Sequence, residues 1–369
     1  MTSTRRIWTV VPVMGIGGAE VVAATLVQAE RARGHEVLLA SAGGFRADRL
    51  VADGVSHLEV PLASRRPLDL LRAVRTLRAQ RRAARPDVVH AHNVKAAVVA
   101  RLAVGRRVPL VVTVHGVPDG SWSTAGRLLT RVADAVVAVS PHVAEQLVAH
   151  GVPAARVRVV ENAVLPLTRP DRADARRSLG VPDDAPVVLC LARLVDQKRH
   201  DLLVAAWPDV HRGVEPAPVL LVAGDGPTRA AVQAAAERDC PSGSVQFLGS
   251  RDDADVLLAA ADLLVLPTDW EGLPISLLEA MGAGVPVVVS RVGGVVETLG
   301  SAVRLVEPGA VAPLGAALTE LLADPAARHD LAARASALVA DRFHPDRMVA
   351  GHEAVQHDLV TGAFQEVRA

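Results

Sequence analysis

The chain has 369 residues, with 40 basic and 40 acidic side chains and half of its residues apolar. That length predicts two domains of roughly 150–200 residues, and the composition excludes general disorder. No apolar run reaches the ~18–20 residues of a spanning helix, and two cysteines, Cys190 and Cys240, exclude a disulfide framework or a zinc cluster.

The start reads as a strand, Ile7–Val13, interrupted by Pro12 and followed by a helical pattern holding Glu20 and Glu30. It does not read as a secretory leader, so a cytoplasmic protein is expected. Between strand and helix lies Gly15-Ile-Gly-Gly-Ala-Glu20. Small residues there let backbone N–H groups approach an anion at a helix N-terminus. A nicotinamide-binding turn would need an acid closing the second strand, Glu36–Ala40, and the chain continues Ser41-Ala-Gly-Gly instead.

Pro67 to Arg85 reads as a helix with Arg72, Arg75, Arg78 and Arg82 on one face and Leu71, Val74 and Leu77 available for packing. The face suits an anionic membrane, or simply solvent in an arginine-rich protein. The strands Asp87–Ala91 and Leu110–Val114 each deliver histidines, His90 and His92 from the first and His115 from the second. No carboxylate or cysteine joins them at metal-ligand spacing. His90 reads as a core residue capping a backbone carbonyl and His115 as facing a cleft. Ala135–Val139 and Val157–Val160 complete a first series of strands.

A connector with Pro166, Pro170, Pro182 and Pro186 follows, and the alternation resumes with Val187–Leu191, Val219–Ala223, Ser244–Leu248, Leu263–Leu266 and Val285–Val289. Short β-branched strands alternating with helices give parallel sheets, and the polar break argues for two α/β domains over one barrel. The charge agrees: residues 1–165 hold 22 basic and 12 acidic side chains, residues 166–369 hold 18 and 28, so +10 faces −10. A last helix, Pro345 to Val360, comes after the second sheet and is expected to return to the first domain. No repeat of 20–50 residues is evident.

In the second domain, Arg193 and Lys198 are five apart in the loop after its first strand, a spacing that brackets a diphosphate. Arg199 shows that basic residues also occur there without a role. Asp253-Ala-Asp255 has the D-x-D spacing of a divalent-ion site but reads as the start of a helix. The segment Glu271-Gly-Leu-Pro-Ile-Ser-Leu-Leu-Glu279 places one carboxylate in a loop and one on the helix behind it. That is a poor arrangement for flanking a glycosidic bond from two sides. Gly272, Leu273 and Pro274 read as an exposed loop presenting backbone groups to hydroxyls.

Tyrosine is absent, and the chain has four Phe, four Trp, two Lys and two Asn. Stacking platforms for nucleic acid are therefore missing. Lys95, Lys198, Asn93 and Asn162 are all assigned to loops.

Taken together, the Gly-Gly-Ala-Glu loop, His115, Asn162, Arg193 with Lys198, Gly224-Asp-Gly-Pro227, Phe247-Leu-Gly249, Glu271-x7-Glu279 and Val292-Gly-Gly-Val295 resemble the retaining GT-B glycosyltransferases. This is the large family that includes phosphatidylinositol mannosyltransferases and sucrose synthases, and the resemblance covers nearly the whole chain. It implies two Rossmann-like domains with parallel sheets facing a cleft. Residues 1–165 would form the acceptor side, with a C-terminal helix of about 345–369 packed back on it, and 166–344 would bind the nucleotide sugar. Arg193 and Lys198 would hold the diphosphate, Glu279 the ribose, and the backbone of Phe247, Leu248 and Gly249 the base. Glu271, with Gly272, Leu273 and Pro274, would hold sugar hydroxyls. Gly17 and Gly18 would approach the phosphates, Asn162 and Gly224 would complete the donor site, and His115 would orient the sugar. Asn162-Ala163 departs from the family's Asn-Gly.

The activity so implied is transfer of a sugar from a nucleoside diphosphate sugar to an acceptor hydroxyl with retention. UDP-sugars are expected first and GDP-sugars next, with no metal and no cofactor beyond the donor substrate. The acceptor belongs to glycan, glycolipid or natural-product synthesis, with Lys95 and His92 as candidate contacts. Peripheral contact at the inner face of the cell membrane would run through Arg72, Arg75, Arg78 and Arg82. A GT-B sugar-nucleotide epimerase and a non-catalytic nucleotide-binding protein are the alternatives.

Overall fold

The computed structural model describes residues 4–64, 66–165, 167–168 and 170–364. Pro166 of the connector and the last residues of the expected 345–369 helix lie outside them. The chain folds as two compact units, one running to Asn162 and resuming at Pro345, the other spanning Ala163–His344.

In the first unit the strands are β1 (Arg6–Val10), β2 (Glu36–Ser41), β3 (Ser56–Glu59), β4 (Val88–Ala91), β5 (Leu110–Val114), β6 (Ala135–Ala138) and β7 (Val157–Val159). They form one sheet in the order β3-β2-β1-β4-β5-β6-β7 with every pairing parallel. The second unit has β8 (Val187–Leu191), β9 (Val219–Ala223), β10 (Val245–Gly249), β11 (Leu263–Leu266), β12 (Val287–Ser290) and β13 (Arg304–Val306). Its order is β10-β9-β8-β11-β12-β13, again all parallel. The central strands β4, β5, β6 and β12 are buried at every position. That follows from helices covering both faces of a parallel sheet, which removes the alternation of a half-exposed strand. β3 and β13 escape sequence reading for the opposite reason, because Ser-His-Leu-Glu and Arg-Leu-Val are short, partly polar edge strands.

One chemical device recurs. An aspartate placed just before a strand accepts the first N–H of the neighbouring strand, a donor that the parallel ladder leaves open. Asp87 takes Arg6 N–H at 2.7 Å, Asp134 takes Leu110 N–H at 2.8 Å and Asp262 takes Val187 N–H at 2.8 Å. Two of these carboxylates also bind a buried arginine. Arg101 reaches Asp134 and the carbonyls of Val132, Gly105 and Val108. Arg176 reaches Asp262 at 2.7 Å and the carbonyls of Ala260, Pro182, Asp183 and Ala185. Arg176 lies on the helix Arg172–Ser178, inside the segment the sequence assigns to a connector. The helix Arg172–Ser178 is therefore part of the second unit, bound to the strand starts of β8 and β11.

The helix Pro345–Thr361 joins the first unit and buries Met348, Val349, His352, Val355 and Gln356. Among the described residues no helix is long and apolar enough to cross a membrane.

Replacing Asp262 with alanine would leave the Arg176 guanidinium, 4% exposed, without its bonded carboxylate. Breaking a buried pair from one side costs about 3 kcal/mol or more. Asp262→Ala is therefore expected to lower the urea midpoint of the second unit markedly, while Asp174→Ala, whose pair with Arg177 is exposed, leaves it near its starting value.

Candidate active site

Each sheet has one point where the strand order reverses, between β1 and β4 in the first unit and between β8 and β11 in the second. Loops leaving adjacent strands diverge there, and the crevice beyond the carboxyl ends is where open parallel sheets bind ligands. In the second unit those two loops are the ones carrying Arg193 to Lys198 and Thr268 to Glu271. β8 and β11 lie side by side, with Leu263 opposite Val188 and Leu264 opposite Leu189. Residues 73 apart in sequence therefore meet.

Lys198 donates to Glu271 Oε1, with the two side chains 13% and 8% exposed. Thr268 donates its hydroxyl to the same oxygen at 2.8 Å. Gln197 joins the loops from the other direction. Its carbonyl accepts the Asp269 N–H at 2.9 Å, and its amide Nε2 donates to the Trp270 carbonyl at 2.7 Å. Arg199, which the sequence leaves without a role, donates to Asp269 at 3.1 Å and also pairs with Asp201. Both carboxylates keep it charged, raising its pKa. Arg193 is exposed, and its guanidinium has no hydrogen bond or ion pair among the described residues. The structure therefore brings Lys198 to Glu271 and leaves Arg193 in solvent on the same loop.

Backbone contact sets the loops. A Cβ on Gly224 would stand 1.9 Å from the Ala192 carbonyl oxygen, and one on Gly226 would stand 2.1 Å from that of Leu194. The Gly224-Asp-Gly226 loop thus presses on the loop of Arg193, and the Leu194 N–H donates to the Asp225 carbonyl at 3.0 Å. On the acidic side, a Cβ on Gly294 would lie 1.8 Å from the Gly272 oxygen. This corrects one expectation. Gly272, Leu273 and Pro274 are buried, and the start of the helix Gly293–Leu299 lies against the Gly272 carbonyl. Glu279 sits in the second turn of the helix Ile275–Gly282, half-buried. Phe247 and Gly249 flank a bulge in the edge strand β10, with Leu248 the extra residue. Leu248 is thereby released from the ladder with β9. Asn162 is buried. Ala163 needs no left-handed backbone, since Arg199 is the one non-glycine residue with positive φ among those described. The departure from Asn-Gly is accommodated without strain.

The D-x-D segment precedes and enters the helix Ala254–Ala260, but Asp253 does not cap it. Its carboxylate accepts from Arg251 at 2.7 Å, and Asp255 accepts from the Thr168 hydroxyl.

In the first unit, Gly17 precedes the helix Gly18–Ala32, and the Glu20 carboxylate folds back over it, where a Cβ would meet Glu20 Oε2 at 2.2 Å. A carboxylate therefore already sits where the helix N-terminus favours negative charge. Lys95 is not in a loop: it lies in the first turn of the helix Val94–Val104, which Asn93 caps. Its ammonium donates to the carbonyls of Ala63 and Ser64 at 3.2 and 3.3 Å.

The histidines form one cluster. His92 Nδ1 and His115 Nε2 are 3.3 Å apart and their rings stack. His115 is half-buried, with Nδ1 enclosed and unbonded among the described residues. His90 does not cap a backbone carbonyl. The Gln356 Nε2 can only donate, so His90 Nδ1 accepts from it at 3.3 Å and His90 Nε2–H donates to Thr113 Oγ1 at 2.7 Å. His352 donates from Nδ1 to the Met348 carbonyl at 2.9 Å, leaving Nε2 to accept from Thr113 at 3.4 Å. All these imidazoles are neutral because burial pushes them below the usual histidine value, His115 to about 3 and His352 to about 4. Gln356 also donates to Glu30 at 2.8 Å, and burial raises Glu30 to about 7.

Two family models match this chain: Glycosyltransferase Family 4 over residues 16–166 and Glycosyl transferases group 1 over residues 171–337. The chain belongs to the group 1 glycosyltransferases. It is 25% identical over 364 residues to the N-acetyl-alpha-D-glucosaminyl L-malate synthase of Bacillus anthracis, covering 94% of this chain and 95% of that protein. It is 38% identical over 184 residues to the GDP-mannose-dependent monoacylated alpha-(1-6)-phosphatidylinositol monomannoside mannosyltransferase of Corynebacterium glutamicum, spanning 47% of this chain and 48% of that relative. Among solved structures, Anabaena HepE in complex with UDP-glucose superposes with a TM-score of 0.82 over 96% of this chain and all of that one, at 23% identity. The two parallel sheets are those of a GT-B glycosyltransferase.

The buried cluster of this glycosyltransferase has a pH signature. A histidine whose folded pKa is depressed binds no proton in the fold but gains one on unfolding below about pH 6.5. Stability is thus lost as pH falls from about 6.5 toward 4. Glu30, raised to about 7, acts in the opposite sense, losing stability as pH rises from about 4.5 to 7. Four histidines outweigh one carboxyl below pH 6.5. Glu30→Gln, which keeps the shape and removes the buried charge, is expected to raise the thermal midpoint above pH 7 and change it little below pH 5. A midpoint lowered equally at pH 5 and pH 8 would contradict this account.

Proposed function

We propose that this glycosyltransferase moves a sugar from a nucleoside diphosphate sugar, UDP-linked in the first instance and GDP-linked in the next, to an acceptor hydroxyl with retention of configuration. The observation that carries the reading is the Lys198–Glu271 contact at the strand-order reversal of the second sheet. A cation for phosphate and a carboxylate for sugar hydroxyls stand within one hydrogen bond of each other. That spacing matches the junction between a diphosphate and its sugar.

Negative charge grows on the bridging oxygen as the diphosphate leaves. Lys198, the solvent-facing fork of Arg193 and backbone N–H groups would stabilise it, with no metal required. Glu271 would hold the sugar and Glu279 the ribose. The base would meet the freed backbone groups at Leu248, between Phe247 and Gly249. Gly17 and Gly18 open a helix N-terminus suited to phosphate once the Glu20 carboxylate withdraws. The acceptor hydroxyl attacks from the face the diphosphate leaves and passes its proton to a phosphate oxygen. His115, neutral and held near 3, is a poor proton acceptor and serves to orient. His92 and Lys95 remain the acceptor-side candidates.

The relatives support both donor classes: a GDP-mannose-dependent enzyme by sequence and a UDP-glucose complex by fold. For the acceptor we favour a lipid-linked molecule at an anionic membrane. On the helix Pro67–Ala83, Arg72, Arg75, Arg78 and Arg82 are exposed, and Val74 and Leu77 are buried. Leu71, expected to pack, is instead 45% exposed, and Leu68 is 71% exposed. A basic face carrying outward leucines suits a lipid surface, each basic residue adding about 1 kcal/mol.

A thermal-shift panel of UDP, GDP, UDP-glucose and GDP-mannose should give a nucleotide-sugar stabilisation. NMR of the product should show the donor's anomeric configuration, and activity should survive EDTA. Lys198→Ala should lower kcat at least about 100-fold. Turnover near wild type in that variant, or a new sugar nucleotide formed without acceptor, would remove the assignment. Sedimentation with vesicles containing phosphatidylglycerol should fall with salt and with Arg72→Glu/Arg75→Glu. Salt-independent or absent sedimentation would leave a soluble acceptor.

A further inference from the structure

Glu271 does not orient itself. Thr268 lies two residues beyond β11 and is 1% exposed, and its backbone N–H donates at 2.9 Å to the hydroxyl of Ser290, the last residue of β12. The end of the neighbouring strand therefore fixes its position. Its hydroxyl oxygen lies 2.8 Å from Glu271 Oε1, 3.1 Å from the Gln197 carbonyl and 3.3 Å from the Trp270 carbonyl. A threonine hydroxyl has one hydrogen to give, and a carboxylate is both the nearest and the strongest acceptor of the three. Lys198 donates to that same Oε1. One carboxylate oxygen is thus filled by two donors, while Oε2 carries no hydrogen bond among the described residues.

We propose that Thr268 is a positioning residue for sugar recognition. By holding Oε1, it fixes the rotation of the Glu271 carboxylate and leaves Oε2 to accept a hydroxyl of the hexose in a nucleoside diphosphate hexose. Thr268 touches neither nucleotide nor sugar and acts through Glu271. Without the hydroxyl, Oε1 keeps only the Lys198 ammonium, a point charge on a flexible stem that sets no plane for the carboxylate. The consequence is selective. The hydroxyl contributes to affinity for the sugar half of the donor and not for the nucleotide half. This rests on the donor reading above.

The test compares free nucleotide with nucleotide sugar on the full chain by titration calorimetry, using UDP with UDP-glucose and GDP with GDP-mannose. Thr268→Val keeps the shape and removes the donor. It is expected to weaken the nucleotide sugar that the wild type binds by about tenfold or more, as loss of a hydrogen bond to a charged group should. Affinity for the matching free nucleotide should stay within about threefold, and Thr268→Ser should restore the nucleotide sugar to within about threefold of wild type. In the background of Glu271→Gln, Thr268→Val should add little, because the group it acts through is already altered. Should the valine variant not fold, Thr268→Ala is read in the same way. Equal weakening of nucleotide and nucleotide sugar would make Thr268 a scaffold residue and overturn the proposal. So would unchanged sugar affinity, or full additivity with Glu271→Gln. A wild type that binds neither UDP-glucose nor GDP-mannose would fail the donor reading itself, a result distinguishable from all of these.

Discussion

The second unit is organised around one requirement: a lysine and a glutamate that are almost fully enclosed must meet each other. An enclosed charge without a partner costs several kcal/mol, so neither Lys198 nor Glu271 is tolerable alone. Their meeting demands that two loops from neighbouring strands approach to backbone contact. The glycines at 224, 226 and 294 let neighbouring segments press in turn on each of these loops, the loop after β9 on Ala192 and Leu194 and the helix Gly293–Leu299 on Gly272, since any Cβ there would fall inside a carbonyl oxygen. Gln197 and Arg199 then tie the loops together by bonds that involve neither Lys198 nor Glu271. The ion pair is therefore pre-assembled by the scaffold.

The first unit solves a different problem. It accepts a helix from the far end of the chain through a polar contact, with Gln356 bonded to Glu30 and His90 and with His352 bonded to Thr113. Each imidazole has a defined tautomer because an amide and a carbonyl at the two ends fix the direction of donation. Such a network is economical only while every ring stays neutral. The buried Met348, Val349 and Val355 hold the helix at any pH, whereas this polar contact makes the return of the chain sensitive to acid.

The alternation of strands and helices was legible because parallel strands buried on both faces are written as unbroken Val, Leu and Ala. The edge strands β3 and β13 were not, since exposure lets polar residues into them. At the site, Lys198 stood out because lysine is rare in this composition, and Glu271 and Glu279 because of their spacing. Gln197 and Ser290 are ordinary residues whose significance lies in contacts across more than twenty positions, which spacing cannot encode, and Thr268, only three positions from Glu271, is fixed by such a contact to Ser290. The reading of Gly272 to Pro274 as exposed failed for the same reason. The helix Gly293–Leu299 that lies against Gly272 is distant in sequence, and Leu273 is the apolar clue that the segment packs. Likewise, helical period placed Leu71 among packing residues, but a 17-residue helix on a unit's surface buries only part of its apolar stripe.

Arg199 shows how strain and binding are balanced at such a site. It follows Lys198 directly and holds φ at 40°, a left-handed conformation that costs an arginine about 1–2 kcal/mol and a glycine almost nothing. Its pairs with Asp201 and Asp269, partly exposed, return up to about 1 kcal/mol each. The two sums are comparable, so glycine would serve stability about as well. What glycine could not do is reach Asp269. The arginine bonds the turn that bears Lys198 to the loop that bears Glu271, and the left-handed residue aims that turn before the helix His200–Gly213 begins. Backbone strain at this position is therefore balanced by a bond that ties together the two loops carrying the charges of the Lys198–Glu271 pair.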